Sequence, residues 1–210
     1  MGREQTAVEE RWNVITHGLG ILLFLLATIY LFINSSLQDP YIFWGIAIYS
    51  GSQLFLYSSS TSYHYATRYK IKFQLRKLDH VSIYFSIAGT YTPICLTSLW
   101  DGEGLIILIA VWSIAAFGTI WKLFFTGKYE AFSGLLYLVM GWLVVIDLDG
   151  LVDALSKLQL NLLIAGGVFF TLGIIFYAWR KLFFNHVIWH VFVLAGSISH
   201  LLLVASVVTK

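Results

Sequence analysis

The sequence has few of the charged and cross-linking residues that soluble or secreted proteins use. Charged residues are 11% of the 210, whereas 59% are hydrophobic. A soluble domain has about 25% charged residues, so we infer an integral membrane protein with no soluble module. The net charge of +2 on so apolar a chain gives no reason to expect nucleic acid as a partner. One cysteine, Cys95, excludes an internal disulfide.

Charge-free windows mark the predicted membrane spans, because an apolar bilayer core needs ~20 helical residues. We predict an all-α membrane protein, a seven-transmembrane-helix bundle that forms one domain, in the cell membrane. The predicted spans are approximately residues 13–33, 41–66, 80–100, 104–123, 130–148, 159–179 and 185–208. The fifth is the weakest, because its charge-free window covers only 16 residues, 131–146, and it could be re-entrant.

Basic residues orient the predicted bundle. If all seven helices cross, 11 of the 13 Lys and Arg residues fall on one side. They are Arg3, Arg11, Arg68, Lys70, Lys72, Arg76, Lys77, Lys122, Lys128, Arg180 and Lys181. Basic residues stay cytoplasmic, so the N-terminus is expected inside and the C-terminus outside. Without the fifth crossing this asymmetry weakens, and we therefore count that segment as a span.

The last span contains three histidines although it has no charged residue from Leu182 to Thr209. His186 and His190 are four residues apart and so share one helix face, where two imidazoles can bind one metal ion. His64 lies at the cytoplasmic end of helix 2 and is expected in the same layer of the membrane. Three neutral imidazoles with one open position match the ligands of a catalytic zinc.

Two further residues of this layer suit a zinc site. Asp79, at the start of helix 3, could be a fourth ligand that closes the site. Alternatively it could hydrogen-bond a water whose pKa zinc lowers from ~15.7 to about 7 and then act as a general base. Ser60 is one turn from His64 and could donate to an oxyanion or orient a ligand. Iron with two histidines and a carboxylate is an alternative metal.

Helix 1 carries a polar stripe at its cytoplasmic end. Spacings of three and four place Glu10, Asn13 and His17 on one face. We favour a hydrogen-bonded lid over a ligand set for these three. His200 lies about 15 Å deeper than His190, at roughly 1.5 Å per residue, and is expected to be a satisfied interhelical polar residue. Pro93 should kink helix 3, either for packing or as a cavity wall.

These patterns resemble the hemolysin III family, which belongs to the superfamily of the progestin and adipoQ receptors and is related to alkaline ceramidases. The resemblance is carried by Glu10-x-x-Asn13-x-x-x-His17, Ser60-x-x-x-His64 with Asp79, His186-x-x-x-His190, Thr16-His17-Gly18, Leu78-Asp79-His80 and Gly89-Thr90-Tyr91-Thr92-Pro93. It implies a seven-helix fold with an intramembrane zinc held by His64, His186 and His190. It also implies that Asp79 holds the water and that Ser60 is its neighbour.

Three functions follow as hypotheses. The leading one is a zinc-dependent hydrolase of a lipid amide or ester that contributes to membrane-lipid homeostasis, as the resemblance implies. The second is a non-catalytic sensor of lipid or membrane state with a structural zinc. The third is a pore-forming cytolysin, which would have to be a homo-oligomer because the outer halves of helices 2 and 7 are mostly apolar and a pore needs a polar lining. A membrane lipid is the expected substrate or ligand.

Overall fold

A computed structural model describes residues 5–209, which are almost entirely helical. The helices are α1 (Ala7–Asn34), α2 (Pro40–Tyr65), α3 (Tyr69–Thr97), α4 (Gly104–Phe125), α5 (Glu130–Gly141), α6 (Leu148–Ala154), α7 (Lys157–Ala178) and α8 (Asn185–Val208). A 3-10 helix, Leu143–Asp147, connects α5 to α6. The β-structure within this range is a single bridge between Ser35 and Thr209. The predicted all-helical fold is confirmed.

Within the described range, five helical segments are long and apolar enough to cross a membrane. They are Ala7–Asn34, Gly104–Phe125, Glu130–Ala154, Lys157–Ala178 and Asn185–Val208. Helices α2 and α3 are long enough, with 26 and 29 residues, but they are more polar. The run of hydroxyl residues at 58–62 lowers the hydropathy of α2, and four basic residues begin α3. Seven crossings, and their orientation, therefore stay a prediction.

Helix α3 lies at the centre of the bundle and packs against α2, α4, α5 and α8. It begins at Tyr69, well before the span predicted from residue 80. Charge-free windows report the apolar part of a helix, and Lys and Arg are good helix formers that extend it further. The basic residues 70–77 therefore occupy the first turns of α3 rather than a loop. Pro93 lies inside this helix and packs against Gly45 of α2, which supports the packing role.

The fifth predicted span is not one continuous helix. α5 ends at Gly141, and the chain continues through the 3-10 helix into α6. The hydroxyl of Tyr91 on α3 fills this break. It donates to the carbonyl oxygens of Met140 (2.8 Å) and Gly141 (3.1 Å) and accepts from the Val144 N–H (3.1 Å). Broken helices are tolerated inside a membrane only where such groups satisfy the freed backbone.

The apolar core has two parts. One part lies between α1, α2 and α8, around Phe24, Tyr57 and Val204. The other lies between α3, α4 and the α5–α6 segment, around Tyr84 and Met140. A cluster of polar side chains lies at the same end of each part, where α1, α3, α5 and α8 begin. We call this the histidine end of the bundle.

Candidate metal centre

The three predicted metal ligands meet at the histidine end. His64 is in the last turn of α2, while His186 and His190 are in the first turns of α8. One ring nitrogen from each lies within 4.8 Å of the other two. The Nε2 atoms of His64 and His186 are 3.2 Å apart. Zn–N bonds of 2.0–2.1 Å imply about 3.3 Å between ligands of a tetrahedron, so the three residues could hold one metal ion.

His64 is oriented from helix α1. Its Nδ1 lies 2.6 Å from Oε2 of Glu10. A carboxylate only accepts hydrogen bonds, so Nδ1 donates and the lone pair on Nε2 faces the other histidines. Lys72 donates to Oε1 of the same carboxylate at 2.9 Å. This carboxylate–imidazole pair is the usual second layer of a metal site, because it fixes the tautomer and the ring direction.

His190 is held in an equivalent way by a hydroxyl of α1. Oγ1 of Thr16 donates to the backbone carbonyls of Trp12 (2.9 Å) and Asn13 (3.1 Å). That hydroxyl can therefore only accept from Nδ1 of His190, which lies 3.3 Å away. Nε2 of His190 is again left with its lone pair. The sequence motifs contained Thr16, but its role as an orienting residue was not predicted.

Glu9 was missed as a positioning residue. It is 1% exposed, and its Oε1 accepts a hydrogen bond from the backbone N–H of Phe184 at 2.8 Å. Phe184 is the N-cap of α8 and has a left-handed backbone with φ of 58°, so this contact fixes the start of α8 two residues before His186. The signal was present in the sequence: Thr6-x-x-Glu9 is a capping box, and both of its hydrogen bonds form.

Asp79 and Ser60 lie beside the three histidines. Both are buried, with 8% and 1% exposure, and both line the cavity that His186 and His190 also line. The hydroxyl of Ser60 neighbours the carboxyl of Asp79. Asp79 is not part of the mutually close ligand group found among the described residues. Direct ligation by Asp79 is thus not what this geometry shows, and its role through a water stays a prediction.

The stripe on helix α1 makes two kinds of contact, and its role as a lid stays a prediction. Glu10 and Asn13 both reach His64; Nδ2 of Asn13 is 3.4 Å from its Nδ1 and also donates to Gln5. His17 instead stacks on His190, with ring centroids 3.5 Å apart and an interplanar angle of 15°. None of the three joins the mutually close ligand group.

A second polar cluster, which sequence reasoning missed, lies between α3, the end of α4 and the start of α5. It consists of Arg76, His80, Lys122 and Glu130, and we call it the ionic cluster. Nζ of Lys122 lies 2.7 Å from Oε2 of Glu130, and this lysine is fully buried. His80 and Arg76 approach the same carboxylate at 3.5 and 3.3 Å. From the sequence, Lys122 served only as one of the basic residues that orient the bundle.

An apolar cavity extends from the histidines toward the opposite end of the bundle. Helices α3, α5, α7 and α8 line it, from His186 past Ile83, Tyr137 and Trp142 to His200. His200 lies within 3.2 Å of the carbonyl oxygen of Leu163 on α7, in agreement with the predicted interhelical contact. The cavity therefore has a polar end at the candidate metal site and a long, mostly apolar body.

Comparisons with known proteins agree with the motifs. The family model described as "Haemolysin-III related" matches residues 5–201. "Hemolysin-3 homolog" of Bacillus subtilis (strain 168) is 43% identical over 195 residues, 91% of each chain. "Hemolysin-3" of Bacillus cereus is 40% identical over 194 residues, 92% of this chain and 89% of that protein. The human "Monocyte to macrophage differentiation factor" is 31% identical over 126 residues, 58% of this chain and 50% of that protein.

Both Bacillus relatives align over nearly their whole length, and the apolar helices agree with a location in the membrane. The chain therefore belongs to the haemolysin-III related family and is a multi-pass membrane protein.

Proposed function

We propose that this protein is a zinc-dependent hydrolase that acts on a lipid amide or ester from within the membrane. The observation that carries the proposal is the mutually close group of His64, His186 and His190, of which His186 and His190 line the polar end of an apolar cavity. Ligand sites are typically apolar cavities with a few convergent polar groups. A lipid chain in this cavity would present its head to the histidines.

The proposal includes the topology. We take α1–α4, the α5–α6 segment, α7 and α8 as seven crossings with a cytoplasmic N-terminus and an outer C-terminus. Lys72, Arg76 and Lys122 lie near the histidines, and Arg180 and Lys181 follow α7 at the same end. By the positive-inside rule, the histidine end would face the cytoplasm. The substrate would then enter from the inner leaflet.

The residues divide the chemistry among them. His64, His186 and His190 would hold the ion, with Glu10 and Thr16 fixing two of the rings. A zinc ion bound there supplies Lewis-acid chemistry, polarising a carbonyl and making a water molecule more acidic. Asp79 would position the attacking water by accepting its hydrogen bond, and then take its proton as general base. The Ser60 hydroxyl would donate to the oxygen that becomes negative during attack.

Turnover tests the proposal directly. Purified protein with one zinc per chain should release fatty acid from at least one member of a panel of lipid amides and esters. Asp79→Asn should keep the zinc and lose release. Glu103→Gln is the matched control, because Glu103 is exposed and lies at the opposite end of the bundle. Zinc-loaded protein that releases no fatty acid from any lipid of the panel contradicts the hydrolase.

A second candidate function is a sensor with a structural metal. It is favoured because the ion would connect two different helices. The candidate ligands come from α2 and α8, and both helices pack against α1. A metal between them would tie the two together without any turnover. The sensor predicts that Asp79→Asn leaves both zinc and the lipid response unchanged, and the hydrolase predicts the loss of activity.

The name of the Bacillus cereus relative implies lysis of cells by that protein, which makes a cytolytic pore a third function to test. Dye efflux from liposomes that contain dilute purified protein separates it from the other two. Efflux that persists in His190→Ala would place the activity outside the histidine site.

A further inference from the structure

His17 is the one histidine of this chain whose ring nitrogens have no partner in the described structure. The sequence has six histidines, and the other five have polar contacts with Glu10, Glu130, Thr16, the Leu163 carbonyl or one another. Both Nδ1 and Nε2 of His17 are buried without a hydrogen bond to residues 5–209. Leaving such a buried group unpaired costs about 1–3 kcal/mol, so a ligand or water that paired with it would be stabilised.

The ring of His17 is held in a fixed orientation. One face stacks on His190, with the centroids 3.5 Å apart, and Tyr57 packs edge-on at 5.0 Å with an angle of 77°. Tyr57 can approach so closely because it lies on Gly20; a Cβ there would be 2.2 Å from the tyrosine ring. The imidazole therefore cannot easily turn toward another protein group.

Stacking also excludes His17 from the metal. An imidazole binds a metal along its ring plane, through the nitrogen lone pair. The rings of His17 and His190 are nearly parallel, at 15°, and lie one above the other. An ion in the plane of His190 is thus well outside the plane of His17, whereas a Zn–N bond of about 2.0–2.1 Å needs the ion in that plane.

His17 also borders the cavity. His17 lines it together with Ser60, Asp79, His186 and His190, and the residue is 3% exposed. A neutral imidazole offers one donor and one acceptor. A lipid whose head carries an amide and a hydroxyl could pair with both nitrogens while its carbonyl faces the three metal-binding candidates.

We propose that His17 is a positioning residue that hydrogen-bonds the amide-bearing head of a lipid bound in this cavity, and that it does not ligate the metal. The inference rests on the proposed lipid function of the cavity. It concerns binding, however, and does not require that the bound lipid be hydrolysed.

Three variants test it with N-dodecanoylethanolamine as the probe, measured by calorimetry on zinc-loaded protein in detergent. His17→Phe keeps an aromatic ring against His190 but removes both nitrogens, and it should weaken probe binding about tenfold, the effect of roughly one hydrogen bond. His17→Gln restores a donor and an acceptor, and it should bind within about threefold of wild type. Both should retain one zinc per chain. His17→Leu replaces the Phe variant if that variant does not fold.

Four results would overturn the proposal. Loss of zinc in His17→Phe would make His17 part of the metal site. Unchanged probe binding in that variant would make it a packing residue only. A Gln variant as weak as the Phe variant would show that ring shape, not hydrogen bonding, matters. Wild type that does not bind the amide would exclude this ligand. If probe binding changes as expected but no fatty acid is released, the result supports the positioning role of His17. It then contradicts only the proposed hydrolase activity.

Discussion

Two polar clusters at the histidine end differ in whether their charged and hydrogen-bonding groups find partners within the cluster. In the ionic cluster a single carboxylate, Glu130, meets Lys122 at 2.7 Å, Arg76 at 3.3 Å and His80 at 3.5 Å. Opposite charges are already paired there. In the other cluster, three imidazole nitrogens face one another, with His64 and His186 only 3.2 Å apart at Nε2.

This difference indicates which cluster needs an additional group. Lone pairs that converge without a proton or a cation between them repel, whereas a metal ion would satisfy all three at once. Glu10 and Thr16 add to this arrangement, because they take up Nδ1 of His64 and of His190 and direct the opposite nitrogens inward. We therefore expect the ionic cluster to affect stability, and the proposed metal binding concerns the histidines alone.

The largest expected effect is on the metal. His190→Ala removes one of three ligands and should lower zinc affinity about a thousandfold or more, beyond the 10–100-fold typical of second-layer residues. Elemental analysis of purified protein checks it. His200→Ala is the control, because it also removes a histidine of α8 but lies outside the ligand group. If wild type and His190→Ala contain equal zinc, the histidines do not bind the metal, and the proposed difference between the two clusters is wrong.

The next effect should be on folding alone. Lys122→Met leaves the mostly covered carboxylate of Glu130, 11% accessible, without its closest partner, and breaking a buried pair costs about 3–5 kcal/mol. The free energy of unfolding in detergent should fall by roughly that amount, with zinc content unchanged. The double variant Lys122→Met/Glu130→Gln should recover part of the loss.

Lys128→Met serves as the control for this prediction, because Lys128 is an exposed cation of the same connection. A Lys122→Met protein of normal stability that has lost its zinc would show that the ionic cluster supports the metal site rather than the fold.

A smaller effect is expected where the second layer meets the metal. Glu10→Gln keeps the shape of the side chain but removes the charge that accepts from His64, and it should weaken zinc binding about 10–100-fold. Competition with a chelator of known affinity measures the zinc affinity. Glu103→Gln, which changes an exposed acid at the opposite end, should leave that affinity unchanged. Zinc affinity unchanged in Glu10→Gln would mean that the ring of His64 is fixed by packing.

The smallest effect is expected at the outer edge of the histidine site. Lys72 and Glu10 form a partly exposed pair, with 27% and 25% of their side chains accessible. Such pairs contribute about 0–1 kcal/mol, so Lys72→Met should change zinc affinity less than about fivefold. The control is Lys70→Met, which removes an exposed lysine nearby and should leave zinc affinity unchanged. A loss as large as that of Glu10→Gln would place Lys72 inside the site.

Particular residues show how far the sequence could be interpreted. The spacing of His186 and His190 and the position of His64 before a basic segment were sufficient to predict that these rings meet. Asp79 and Ser60 line the same cavity as His186 and His190, and their roles remain predictions. The break after Gly141 could not be foreseen, because it depends on Tyr91, 50 residues away in the sequence. Lys122 could not be assigned for the same reason: its partner Glu130 becomes a neighbour only once α4 and α5 pack together.

The sequence by itself determined the helical fold in a membrane and that His64, His186 and His190 lie at one end of the bundle. Both follow from local quantities, the length of apolar runs and the 3.6-residue period of the helix. The tertiary structure alone decided which nitrogen of each ring faces inward, that Glu9 fixes the start of α8, and that His17 stacks on His190 outside the ligand group. Those features depend on the rotation of each helix about its axis, which is set by contacts between helices and leaves no periodic signal in the chain.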